Sequence, residues 1–185
     1  MISLSALWLP IVLSAVIVFV ASSIMHMVLP YHHSDYQRLP EEEKVLGALR
    51  GVGLKPGLYH FPHGTMKEMK SPAMVEKFKQ GPVGLLTVFP SGPVNLPKYL
   101  VQWFLFCLVI GFFVAYLTGR TVTEGASYLK VFRVAGTTAF LGYGLGNLSN
   151  SIWKGQPWSN TIKEVFDGLI YGLLTAGTFG WLWPR

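Results

Sequence analysis

Charge is the scarcest commodity in this chain, and cysteine is almost missing. Asp, Glu, Lys and Arg together make up 13% of its 185 residues, against roughly 25% in an average soluble domain. The deficit is uneven. No acidic or basic residue other than histidine falls in residues 1–34, 99–119 or 134–153, while charges crowd into the stretch between the first two of these blocks. A lipid-embedded chain has this pattern, because each charge in hydrocarbon costs several kcal/mol. The one cysteine, Cys107, excludes an internal disulfide and any zinc site built on Cys-x-x-Cys. Inside an apolar run it reads as a small buried hydrophobe.

Motifs that carry common chemistries are missing as well. There is no Gly-x-Ser-x-Gly elbow, no phosphate-binding loop and no His-Glu-x-x-His. "GYGLG" at residues 142–146 lies inside an apolar stretch that phosphate cannot reach, and Glu41, Glu42 and Glu43 read as a solvated helix start rather than a catalytic carboxylate pair. The chain thus leans away from enzymes. The net charge of +6 raises nucleic acid as a partner, but no basic stripe with interleaved aromatics exists to bind it. Lys and Arg in loops that meet anionic lipid headgroups account for the excess.

Hydrophobic residues, at 51%, gather in four runs. Spanning the hydrocarbon core takes roughly 20 apolar residues as helix. Leu4–Val28 within residues 1–30, Tyr99–Thr118 within 99–119, residues 131–151 and residues 162–183 meet that length. The first run lacks a positive flank and is too long for the core of a signal peptide, which predicts an uncleaved helix. Trp8, Tyr31, Tyr99, Trp103, Trp153, Trp158 and Trp181 stand near the ends of the runs, where an aromatic ring with one polar atom suits the headgroup level. The expected fold is therefore all-α in the membrane: a four-helix membrane bundle with a small α+β polar insert, residues 31–98, between helices 1 and 2.

The insert reads as two helix–strand pieces. "LPEEEKVLGALRGVG" starts at Pro40 with glutamates in its first turn, and "GLYHFP" follows as a strand. "SPAMVEKFKQG" carries a serine cap, Pro72 and a terminating glycine before "VGLLTVFP". Two strands alone are marginal in water, so the insert is expected to lean on the membrane face or on a partner. Its excess of Lys and Arg argues for the cytoplasmic side, although at this length it exceeds the ~60-residue range in which charge sets orientation.

The later runs carry a packing signal. Gly168, Gly172, Ala176 and Gly180 recur every four residues, and Thr138, Gly142, Gly146 and Asn150 do the same. Residues four apart share a helix face, and small residues there let backbones approach closely in lipid. The short connection "IWKGQPWSN" predicts an antiparallel hairpin, and Thr161 with Glu164 a capping box for its second helix.

Two constellations are candidates for chemistry. All five histidines fall between positions 26 and 63. His26, His32, His33, His60 and His63, with Asp35 as a hard ligand or an acceptor for a ring N–H, are possible ligands for copper or another transition metal. No spacing among them matches a zinc signature, and the insert is where polar residues collect anyway. Asn147, Asn150 and Asp167 are polar or ionisable groups inside the later runs, which marks them as interhelical hydrogen-bonding groups or as the polar lining of a path. Three functions follow: an accessory or assembly subunit that docks a membrane-protein partner or a second copy, a metal-handling membrane protein, or a small transporter that needs two copies to enclose a path.

At "MHMVLPYHHSDYQRLPEEEKVLGALRGVGLKPGLYHFPHG" and again at "NSIWKGQPWSNTIKEVFDGLIYGLLTAGTFGWLWPR", the chain resembles a family of small bacterial integral-membrane proteins. The resemblance implies a bacterial inner membrane. It carries no activity, ligand or catalytic residue with it.

Overall fold

The computed structural model describes residues 2–185, which are mostly helical with one two-stranded antiparallel sheet. They form two compact units: residues 36–94, and the chain on either side of them.

The smaller unit holds α2 (Glu42–Val52), β1 (Gly57–Phe61), α3 (Pro72–Gln80) and β2 (Gly84–Val88). The strands pair antiparallel, with Gly57 opposite Val88 and Phe61 opposite Gly84. The Ser71 hydroxyl accepts from the Met74 amide and Pro72 opens α3, while Gly81 at φ +61 ends it. Helix α2 starts at Glu42 rather than at Pro40, because Glu41 adopts a left-handed conformation with φ +46.

The larger unit is built from α1 (Trp8–Met27), α4 (Leu96–Thr121), α5 (Tyr128–Tyr143), a short α6 (Leu148–Lys154) and α7 (Trp158–Trp181). Leu4–Met27, which adds a short 3-10 turn ahead of α1, and Leu96–Thr121 are long and apolar enough to cross a membrane. They run antiparallel: Ser22 meets Trp103, Ile11 meets Gly111, and Ile2 meets Gly119. A Cβ on Gly111 would stand 3.2 Å from the Ile11 carbonyl oxygen, so the small residue sets the approach.

The third and fourth runs depart from expectation. Residues 131–151 do not form one helix. Helix α5 stops at Tyr143, a 3-10 turn covers Leu145–Asn147, and α6 resumes at Leu148. Three glycines in five positions, Gly142, Gly144 and Gly146, weaken the helix there. At the break Gly144 presses against Gly168, where a Cβ on Gly168 would come within 2.3 Å of the Gly144 Cα. Helix α7 begins at Trp158, four residues before the expected span, so Thr161 is a buried residue inside it and not its cap. The side chain of Gln156 meets Thr161 and Glu164 instead. Lys163, Glu164 and Asp167, together with glycines and threonines, hold α7 below the apolarity of α1 and α4 despite its length.

The packing of α5 on α7 is the closest in the unit, and it runs antiparallel. Gly168 faces Gly144, Gly172 faces Phe140, Ala176 faces Gly136, and Gly180 faces the ring of Tyr128. The α5 stripe read from the sequence lies elsewhere: Gly142 faces Ile110 of α4, and a Cβ on Gly146 would meet nothing within 4 Å. Around this hairpin the core collects Leu7, Val18, Cys107, Val114, Val131 and Phe179, all fully buried.

Candidate functional site

Pro30 sets the site in motion. It cannot donate to a helical hydrogen bond, so α1 ends at Met27 and the chain turns through a 3-10 segment, Pro30–His32. That turn delivers Tyr31 and His32 to α7. On α7, Lys163, Asp167 and Tyr171 are four residues apart and share one face. Asp167 lies more than two turns inside the helix and is 3% exposed.

Asp167 is fully engaged. The Tyr31 hydroxyl donates to its Oδ1 at 2.5 Å, and His32 Nε2 lies 2.9 Å from its Oδ2. The other ring nitrogen of His32, Nδ1, lies 2.6 Å from Asp35 Oδ2. Lys163 completes the group: its ammonium donates to Asp35 Oδ1 at 2.6 Å, to the Tyr31 carbonyl at 2.6 Å and to the Ser34 hydroxyl at 2.9 Å. Asn160 donates to the Asp35 carbonyl.

This arrangement constrains protons. A neutral imidazole offers one donor nitrogen and one acceptor nitrogen. With a carboxyl group on each side, His32 carries both ring protons or one of the two carboxyls carries a proton. Burial alone would raise the Asp35 carboxyl, but hydrogen bonds from Lys163 and His32 outweigh it and hold it below the ordinary carboxylate range. The Tyr31 phenol is pushed above its ordinary value, first by burial and then by the Asp167 carboxylate it donates to.

His26, at the end of α1, joins from the side. Its Nε2 is 3.8 Å from Asp167 Oδ2, and ligand atoms of His26, His32 and Asp167 all lie within 4.8 Å of one another. The donor set suits a transition metal, with Asp35 as the acceptor that orients His32. The ring geometry suits it less. The two imidazoles are stacked, with centroids 4.1 Å apart and planes 15° apart. An imidazole lone pair lies in the plane of its ring, so stacked rings aim side by side and not at one point. One ring must turn before both can bind an ion.

Beside the carboxylate lies a cavity of about 450 Å³ between α1, α4, α5 and α7. Asp167, Glu164, His26 and Asn147 form its polar wall, and Trp103 and Tyr171 are among its aromatic walls. Trp103 is held by donating to the Ser22 hydroxyl at 2.8 Å.

Of the residues singled out in the sequence, the structure brings together His26, His32, Asp35 and Asp167. His33 is exposed. His60 and His63 belong to the smaller unit, where the His60 ring bonds to the Pro62 carbonyl. Asn147 donates to the Tyr143 carbonyl while lining the cavity, and Asn150 accepts from Lys154. Lys163 and Tyr171 were not singled out in the sequence, and Glu164 was read only as half of a capping box. Their signal was present: a polar row at 163, 167, 171 and 175 runs beside the glycine stripe in an otherwise apolar helix. No family model, curated protein or solved structure matches the chain.

Proposed function

We propose that the protein is an integral membrane protein of the small-transporter class, with α1, α4, α5 continued through α6, and α7 crossing the bilayer, and with Asp167, held by Tyr31 and His32, forming part of the polar wall of a ligand cavity between them. The observation that carries this is the placement of Asp167: a buried carboxyl within an apolar helix bundle, hydrogen-bonded to Tyr31 and His32 and lining a cavity. Exposed Val12, Val16, Val20 and Ile24 make an apolar row along α1, which supports a lipid-facing helix. Two copies then enclose a path.

Thermal unfolding in detergent against a panel of small amphiphiles of positive, negative and zero charge tests the ligand cavity. At least one class raises the melting temperature of the wild type through mass action, and Asp167→Asn removes most of that shift. A panel without effect on the wild type sinks the proposal.

A transition metal at His26, His32 and Asp167 is the second reading, favoured by ligand atoms within 4.8 Å of one another. Elemental analysis of protein made without an affinity tag is expected to find about one equivalent per chain, lost in His32→Ala. Metal-free protein from metal-replete cells ends that reading. The accessory-subunit role stands behind both, because only the marginal two-stranded sheet and the lack of catalytic motifs speak for it.

A further inference from the structure

We propose that the cavity between α1, α4, α5 and α7 binds a protonated organic amine with an apolar body. This rests on the ligand-cavity reading above and adds the charge and donor requirement of the ligand.

Aromatic rings supply the first argument. Trp103, Phe106, Tyr143 and Tyr171 all contribute to the cavity wall. They pack against one another, with Trp103 to Phe106 at 5.5 Å, Tyr143 to Tyr171 at 5.6 Å and Trp103 to Tyr171 at 6.0 Å between centroids. Such rings bury an apolar body and attract a cation through their electron-rich faces.

Charge supplies the second. Two carboxyl groups, Glu164 and Asp167, line the cavity; among the described residues no Lys or Arg does, and His26 is the one basic group on the wall. The oxygens of Asp167 are already engaged by Tyr31 and His32. Glu164 is different. Its Oε1 accepts from Gln156 at 2.8 Å, and its Oε2 is buried with no hydrogen-bond partner among the described residues. Lys163, the nearest lysine in sequence, is committed to Asp35, Ser34 and the Tyr31 carbonyl.

The third argument counts donors. The Tyr171 hydroxyl is buried, its residue is 3% exposed, and it too lacks a partner among the described residues. A buried polar atom without a partner is costly, because it has given up its hydrogen bonds to water and gained none in return. Each oxygen lacks a donor of the kind that an ammonium N–H supplies. A quaternary ammonium has no N–H and leaves them unpaired, and an anion meets the Glu164 carboxylate. The chemistry thus selects a primary or secondary amine over its quaternary, neutral and anionic analogues.

Titration calorimetry on the full chain in non-ionic detergent tests this with three ligands of equal body: 2-phenylethylammonium, its N,N,N-trimethyl analogue and 2-phenylethanol. The primary ammonium is expected to bind one per chain, about tenfold tighter than the alcohol. Glu164→Gln, which keeps an acceptor for Gln156, brings the ammonium to the level of the alcohol. Tyr171→Phe narrows the gap between primary and quaternary ligands. Competition by vesicles of phosphatidylethanolamine, and not by those of phosphatidylglycerol, assigns the amine to a lipid headgroup; binding undisturbed by either assigns it to a free amine. Alcohol binding as tight as ammonium binding, or an unchanged Glu164→Gln variant, overturns the amine assignment and leaves the ligand cavity standing. If none of the three binds, the amine assignment falls, and if the wider amphiphile panel is also silent the cavity reading falls with it.

Discussion

Asp35 shows how one side chain ties a connecting segment to a helix. It accepts from Lys163 on one oxygen and faces His32 on the other. Its carboxyl titrates lower in the folded protein than in the unfolded chain, because those partners outweigh the opposing effect of burial. A depressed folded value contributes stability above the unfolded value of about 4, and the contribution is lost as pH falls through the folded value. Wild type is therefore expected to melt above Asp35→Asn at neutral pH, with the gap closing as the pH drops below about 4. A gap that persists unchanged in acid contradicts the ion-pair account. The histidines teach a related lesson. Sequence gathered five of them into one candidate metal set, yet only His26 and His32 meet Asp167. The insert collects polar side chains because it lies outside the apolar runs, so proximity in sequence said little about convergence in space.

At the scale of elements, the hairpin of α5 and α7 depends on backbone proximity that only small residues permit. Gly168 leaves no room for a methyl group beside Gly144, whereas Gly146 faces open space. Gly168→Ala is expected to destabilise by about 1–3 kcal/mol through overpacking, while Gly146→Ala stays within about 0.5 kcal/mol. Denaturant or thermal unfolding in one detergent compares the two, and equal losses would sink the packing account. The stripe on α7 was legible because its four-step period survives through an unbroken helix. Its partner was not. Counting from Thr138 led to Gly142 and Gly146, but the helix breaks at Gly144, and Gly136, Phe140 and Gly144 face α7 instead. A four-step period marks a helix face but not its partner: Gly142, still within continuous α5, faces Ile110 of α4, and only beyond it do the closely spaced glycines end the helix and the count. The short strands and caps of the insert were readable for the opposite reason: Ser71, Pro72 and Gly81 act locally, and local signals need no knowledge of the neighbours.

For the whole molecule, the division into an apolar helical unit and a polar insert followed from where charge is absent. What sequence did not reveal is that the end of α1, the turn after it and the first turns of α7 form one hydrogen-bonded cluster. Tyr31 and Asp167 are separated by 136 positions, and no periodicity links residues that far apart. The cluster gives Asp167 its buried place beside the cavity, and the cavity has meaning as a ligand site within a bilayer only if all four long helices cross it. Single cysteines at Lys98, Glu124, Lys154 and Arg185, labelled in sealed membranes with an impermeant thiol reagent while the buried native Cys107 stays silent, test that arrangement most directly. The account predicts that Lys98 and Lys154 react from one side and that Glu124 and Arg185 react from the other. Labelling of Lys98 and Glu124 from the same side, or of all four positions together, would contradict it.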